Sequence, residues 1–413
     1  MVVISEIPGG SNGGGDDPNK KPPEETEDNK NEDPQDEEEN QNENLQEVAK
    51  ANLSPVLLEL PEHVMEFILA RVPRRHHGRL HRVCRAFRQL FTSQLIFSTR
   101  LLHGFTEPVL YTLIGSPFEP DDPRWYVLDR SDKPIRLNRI NSLPCMLRGT
   151  AAVTIGHKIY VMGGVDAVEK PQTTAIVINC RLHTLEYLPA MKRARYCAAP
   201  GVINGKIYVI GGRRKQDDDW VEVFDVDLEV WQTVPSQCPE DGSNDGWFDT
   251  YVVMQGKIFI LDDFCCLAYE PREGLWQSWG YESELHRLWS SSLSSCVVGD
   301  LLFTLDLTCP LGLPIAVYNP NEMVWKPLLT VYMSNFTWFG GSPVWSMANL
   351  GGKLEVLGDF CRDSTDIVCV EITFETREEG HLWGNVESTT AVYTDDHKET
   401  MFPIVKLCQT VTV

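Results

Sequence analysis

Ile155-Gly156-His157-Lys158-Ile159-Tyr160-Val161-Met162-Gly163-Gly164 returns 48 residues later as Ile203-Asn204-Gly205-Lys206-Ile207-Tyr208-Val209-Ile210-Gly211-Gly212. Each copy reads as the end of one strand, a glycine-bearing turn, an aromatic-bearing strand and a glycine pair. The pair lets the backbone leave through positive φ and pass close to a neighbour. Three looser copies follow at Gln255–Asp263, Val298–Asp306 and Gly351–Asp359. Aligned on Tyr160, Tyr208, Phe259, Phe303 and Glu355, the steps are 48, 51, 44 and 52 residues. Short strands repeating at about fifty residues indicate a β-propeller rather than a helical solenoid.

Working outward, each unit is expected to hold four strands. Val221-Glu222-Val223-Phe224-Asp225 exemplifies the third, and the fourth carries a tryptophan: Trp231, Trp276, Trp325 and, less regularly, Trp383. Side chains of this size bury ~150–250 Å² each and suit the gap between neighbouring blades. An incomplete unit precedes the five. Pro108–Gly115, Arg124–Asp129 and Ile135–Pro144 read as its second, third and fourth strands, with no first. Met401–Val413 is a spare apolar strand with no following hairpin. The C-terminal strand is therefore expected to supply the missing one, giving six blades and tying both ends of the ring together.

Upstream the texture is helical. Leu57, Leu58 and Leu60 lead into Pro61, whose fixed φ suits a helix start, and Glu62 adds an acid to the first turn. Val64, Met65, Ile68, Leu69 and Val72 form one apolar stripe, which Pro73 ends. Leu80, Val83, Cys84, Phe87, Leu90 and Phe91 form a second, opposite Arg79, Arg82, Arg85 and Arg88. A unit of this size is too small to stand alone and must pack on something. Residues 8–50 hold almost nothing to bury, so disorder is expected there. The glycines at 13–15 lack the Gly-Lys-Ser/Thr of a phosphate loop. The expected organisation is an acidic disordered tail at 1–54, a helical domain at 55–105 and the propeller at 106–413.

Charge narrows the partners. The chain carries −22 overall. Residues 1–50 hold 15 acids against 4 lysines, whereas residues 51–105 hold 3 acids against 8 arginines. So acidic a chain repels phosphate backbones, and nucleic acid is not an expected partner. No run approaches eighteen apolar residues, so no membrane-spanning helix is expected, and the start does not read as a secretory signal. Twelve cysteines in 413 residues contain no Cys-x-x-Cys pair, which fits a reduced intracellular protein and not a disulfide scaffold or the commonest zinc site.

Two family resemblances rest on these residues. Leu60-Pro61-Glu62-His63-Val64-Met65-Glu66-Phe67-Ile68-Leu69-Ala70-Arg71-Val72-Pro73, continuing to Leu80-His81-Arg82-Val83-Cys84-Arg85-Ala86-Phe87-Arg88-Gln89-Leu90, resembles an F-box. Phe87 stands where many members have Trp. The repeats resemble kelch repeats, strongly over 150–235 and more loosely afterwards, where Asp262-Asp263, Leu305-Asp306 and Gly358-Asp359 replace the glycine pair. Together they cover about 350 residues and resemble the plant F-box/kelch-repeat proteins. That resemblance implies a non-catalytic substrate-receptor subunit of a Skp–cullin–F-box ubiquitin ligase, acting in the nucleus or cytoplasm. Its F-box would dock on a Skp-type adaptor, and through it a cullin, while the propeller recruits the protein to be ubiquitinated. A kelch scaffold acting without a ligase is the alternative.

The adaptor contact is expected at Leu60, Pro61, Ile68, Leu69, Val83, Cys84 and Phe87; packing within the chain is the other reading of each. Rigid rings present their loops together, and two stand out as substrate contacts. One is the charged connection with Arg213, Arg214 and Trp220; the other holds Trp247 and Phe248. Arg and Trp are enriched at hot spots, although each stretch also reads as an ordinary solvated loop. His77, His81 and Cys84 have zinc-like spacing without a further ligand, and Cys265-Cys266 read as strand neighbours facing opposite ways. Some kelch-type propellers, galactose oxidase among them, carry a copper site of convergent Tyr and His. Here His157, His183 and His286 are the propeller histidines outside 381–397, and no His/Tyr cluster recurs, so neither cofactor nor catalysis is expected.

Overall fold

The computed structural model describes residues 60–115, 123–130, 134–214, 219–242, 244–248, 250–262, 265–289, 295–305, 315–330, 345–358, 366–377, 380–393 and 403–413. The expected acidic tail at 1–54 lies outside them, as do Leu57, Leu58, Asp263, Asp306, Asp359 and Met401.

The helical unit begins at Glu62–Ala70, with Pro61 extended just before it at φ −56° and ψ 142°. After Pro73 comes a 3-10 turn, Arg74–His76, running into the short helix His77–Leu80. The apolar stripe from Leu80 to Phe91 is not one helix. Cys84 is extended (φ −156°, ψ 167°) and caps the next helix, Arg85–Thr92, its Sγ accepting from Phe87 N at 3.4 Å. A side-chain acceptor at the helix start satisfies an otherwise orphaned N–H, and that local bond outweighs continuing the periodicity. A further helix, Gln94–Leu102, was not anticipated. Ser93 caps it by accepting from Ile96 N at 3.3 Å, and Ile96 and Phe97 are buried. This helix packs against Glu62–Ala70, where the Thr99 hydroxyl donates to the buried Glu66 carboxylate.

Six antiparallel sheets form the propeller, as the repeat implies. From the axis outward, blade 2 is Ala151–Ile155, Lys158–Met162, Ala175–Asn179 and Thr184–Tyr187. Blade 3 is Ala198–Ile203, Lys206–Gly211, Val221–Asp225 and Val230–Val234; blade 4 is Thr250–Met254, Lys257–Leu261, Cys265–Glu270 and Leu275–Gly280. Blade 5 is Ser295–Val298, Leu301–Leu305, Ile315–Asn319 and Val324–Pro327. Blade 6 is Trp345–Leu350, Lys353–Gly358, Ile367–Thr376 and Leu382–Tyr393, with the two-residue strand Leu329–Thr330 added in parallel at its outer edge. Blade 1 takes its innermost strand, Ile404–Thr412, from the C-terminus, followed by Pro108–Gly115, Arg124–Asp129 and Arg136–Arg139. Each innermost strand lies beside the next, and Ile404–Thr412 sits between those of blades 6 and 2, closing the ring.

Strand alternation divides the core into six clusters, one per seam. Ile159 and Val161 pack toward blade 1, whereas Tyr160 and Met162 pack toward blade 3. Cys265 and Cys266 likewise fall into the clusters on opposite sides of blade 4. The tryptophan column acts as a staple. Trp231, Trp276 and Trp325 each pack at a tilt against the aromatic opposite them, Phe224, Tyr269 and Tyr318, with ring centroids 4.9, 4.9 and 5.2 Å apart. Their indole N–H groups reach the connection before their own blade: Pro189 O, Ser236 Oγ and Glu284 O, at 2.8, 2.8 and 2.9 Å. Trp383 departs from this, lying under the Arg377 guanidinium at 4.9 Å.

Antiparallel order gives the ring two different faces. The tight turns between first and second strands, and between third and fourth, open on one face. The second-to-third connections and the blade-to-blade connections open on the other. These are called the turn face and the loop face below.

Candidate functional site

Arginines fix the helical unit to the turn face of blades 1 and 2. Arg100 is fully buried and donates to the Ala70 and Val72 carbonyls, both at 2.8 Å, closing the end of the first helix. Its other terminal nitrogen pairs with Glu107 Oε2 at 2.9 Å. That same oxygen accepts from Arg74 N at 2.6 Å, and the Glu107 backbone exchanges hydrogen bonds with Val413, at the end of the closing strand. The Arg74 side chain reaches Cys180 O at 2.8 Å and the Tyr111 hydroxyl at 3.3 Å. Tyr111 donates to Cys180 O at 2.9 Å and stands 2.8 Å from His183 Nε2. Beside this network the Arg181 guanidinium covers the Phe97 ring at 4.6 Å. Burial, and then the Arg74 charge, push the His183 imidazole down to about 4, so it stays neutral within the joint.

The expected adaptor residues separate by exposure. Pro61, Ile68 (48%) and Val83 (65%) are exposed, and Leu60 and Cys84 are half-buried. Leu69 and Phe87 are buried within the chain, where Phe87 meets Phe91 edge-to-face at 6.4 Å. They hold the helices together and present no surface. Sequence reading did not single out Leu95, Leu101 and Leu102, which are 60%, 65% and 81% exposed on the unanticipated helix. His77 and His81 flank the Phe91 ring at 4.3 and 5.6 Å, and His77 Nε2 bonds the Val72 carbonyl at 2.9 Å. Burial holds the His77 ring down to about 4.

On the loop face, the expected substrate residues divide in the same way. Trp220 and Phe248 are fully buried, packed edge-to-face at 5.6 Å in the seam between blades 3 and 4. They are core and not contact residues, because the chain turns inward there to fill the gap between blades. Arg214 and Trp247 are exposed, and Arg213 is partly buried with an ion pair to Asp219 at 3.4 Å. The stretch 215–218 of the same connection lies outside the described residues.

The helices and the ring each have counterparts among known families: residues 57–99 match the F-box domain, and residues 110–393 match the family described as FKB95, Kelch-repeats domain. The chain belongs to the F-box/kelch-repeat proteins. It is similar to F-box/kelch-repeat protein At2g29830 of Arabidopsis thaliana, 50% identical over 420 residues and spanning 100% of both chains. The putative F-box/kelch-repeat protein At2g29820 of the same plant is 52% identical over 357 residues, covering 86% of this chain and 89% of the relative. Kelch repeat-containing protein At1g19460, also from Arabidopsis thaliana, is 38% identical over 371 residues, 87% of each chain.

In this F-box/kelch-repeat protein, sequence reasoning missed the buried charges that shape both faces. Arg195 is buried beside Glu222, with Nη2 to Oε1 at 3.0 Å, under the loop face. Its position just before the third blade was the available signal, since an arginine in an otherwise apolar stretch needs a partner. Glu355, in the column that is aromatic elsewhere, is buried and pairs with Arg130 of blade 1, which also reaches Glu371 at 2.7 Å.

Proposed function

We propose that this F-box/kelch-repeat protein is the substrate receptor of a Skp–cullin–F-box ubiquitin ligase, working in the nucleus or cytosol. The helical unit binds a Skp-type adaptor through the exposed side chains Pro61, Ile68 and Val83, with Leu60 and Cys84 at their margin. A cullin joins through that adaptor. The chain supplies no chemistry of its own; ubiquitin transfer belongs to the conjugating enzyme that the cullin brings.

One observation carries this reading. The helical unit is pinned to the turn face by Arg74, Arg100 and Glu107, while Arg214 and Trp247 stand exposed on the opposite loop face. A receptor needs this division: one end fixed to the ligase, the other open to a protein held at a set distance. The test is assembly from purified parts. Full-length chain, a Skp-type adaptor and a cullin should elute from a sizing column as one complex that loses the chain when the adaptor is omitted. Separate elution of the chain in the presence of both would contradict the proposal.

A further inference from the structure

From Phe67 to Thr106 the chain holds eight arginines and no aspartate or glutamate, within a protein of net charge −22. Of the bordering acids, Glu66 is buried and accepts from the Thr99 hydroxyl, and Glu107 is held by Arg100 and Arg74 N. Glu62 opens the first helix, and Glu59 lies outside the described residues. Even with Glu62 counted, six exposed arginines, Arg71, Arg75, Arg79, Arg82, Arg85 and Arg88, leave a clear positive excess. Arg71 lies over the Phe105 ring at 5.7 Å, and Arg75 Nε donates to His76 Nε2 at 3.2 Å. Among the described residues, Arg82, Arg85 and Arg88 make no ion pair.

These last three surround the most exposed apolar residue of the expected adaptor contact. Val83 is 65% exposed, with Arg82 before it and Arg85 two residues on. Arg85 is the first residue of the helix Arg85–Thr92, whose first turn holds no acid. The helix dipole favours carboxylates there and disfavours guanidinium groups. Arg85 and Arg88, three apart on one side of that helix, also repel each other. Both side chains are exposed, so packing inside the chain does not offset either cost. A local preference broken without an internal gain points to a contact outside the chain.

We infer that the adaptor surface meeting Val83 is acidic, and that Arg82, Arg85 and Arg88 steer and select it. The inference rests on the receptor reading and adds the chemistry of the partner's surface to it. Taken whole, the chain repels an acidic partner, and on this face the repulsion reverses. Guanidinium forks engage carboxylates through two parallel hydrogen bonds, which fixes the angle of approach. Complementary charge acts more on encounter rate and partner choice than on affinity, so Val83 and Ile68 remain the apolar contact.

The probe is a purified Skp-type adaptor, whose association and dissociation rates are measured on the immobilised full-length chain. Association should slow about tenfold as salt rises from about 50 to about 500 mM. An Arg82→Glu/Arg85→Glu/Arg88→Glu variant should associate roughly tenfold more slowly at low salt, lose the salt dependence and dissociate at a rate closer to wild type. Replacing the same three residues with Lys should preserve most of the association rate. The control, Arg136→Glu/Arg139→Glu/Arg272→Glu, makes the same change in net charge at exposed positions on blades 1 and 4 and should associate like wild type. Glutamate suits the first turn of a helix, so the test variant should melt no lower than wild type.

Salt-independent association of the wild type, an unchanged rate in the test variant, or an equal loss in test and control variants would overturn the inference. Association that quickens with salt would also overturn it, and would assign the face to the acidic residues 1–50 of the chain itself. An Ile68→Asp/Val83→Asp variant separates the two claims. If it loses binding while the arginine variant keeps the wild-type rate, the receptor reading stands and the acidic surface falls. No binding by the wild type at any salt overturns both.

Discussion

Arg195 keeps all its nitrogens occupied in the interior. Nε and Nη2 reach Glu222 Oε1 at 3.1 and 3.0 Å, and the remaining bonds go to the carbonyls of Gly211, Asp219 and Trp220. Glu222 in turn accepts from Lys192 N and Arg193 N at 2.7 and 3.1 Å. Removing one partner of a buried pair leaves the other charge uncompensated, which costs about 3–5 kcal/mol. Arg195→Ala should therefore lower the urea midpoint by that equivalent, and Arg195→Lys, with fewer donors, should recover little of it. An unchanged midpoint for Arg195→Ala would refute this role. At this scale the sequence was legible where side chains act by bulk. Trp231, Trp276 and Trp325 fill the gaps assigned to them because their size leaves few other places. It was least legible where charge is buried: Glu355 breaks the aromatic column, yet its partner Arg130 lies 225 residues away. No local pattern joins the two.

Among elements, the helical unit shows what periodicity can and cannot reveal. The stripe from Leu80 to Phe91 correctly marked apolar residues, but Cys84 turned out to cap a helix, and Val83 therefore points to solvent. Apolar spacing identifies a face that avoids water without saying whether this chain or a partner covers it. Hence Leu69 and Phe87 shared a list with Ile68 and Val83, although the first two are internal. The joint to the propeller was invisible beforehand for another reason. Glu107 sits in a short linker, and its value comes from Arg74 N and Arg100 arriving together. Glu107→Leu should leave the buried Arg100 without its carboxylate and loosen the first helix from blade 1. Hydrogen exchange should then rise at least tenfold at amides of residues 62–76 and 96–105 and stay unchanged in the blade 4 strands. Unaltered exchange in the helices would show that the joint depends on other contacts.

Across the molecule, closure by Ile404–Thr412 makes the ring a single mechanical piece. The last residue exchanges hydrogen bonds with Glu107, so the strand that closes the propeller also anchors the helical joint. Ring, blade number and closing strand were legible because the repeat spacing and the unpaired C-terminal strand are properties of the sequence. The opposition of turn face and loop face followed only from the structure, since it depends on which side the helices dock. That opposition underlies the account: a helical end proposed to bind the ligase, a closed ring and an open loop face. Its central claim is the first of these. The most direct measurement is calorimetric titration of a Skp-type adaptor into the full-length chain, beside an Ile68→Asp/Val83→Asp double variant. The account predicts saturable binding by the wild type and at least a hundredfold loss in the variant, about 2.8 kcal/mol, with equal melting temperatures because both residues are exposed. No binding by the wild type, or equal binding by both, would contradict it.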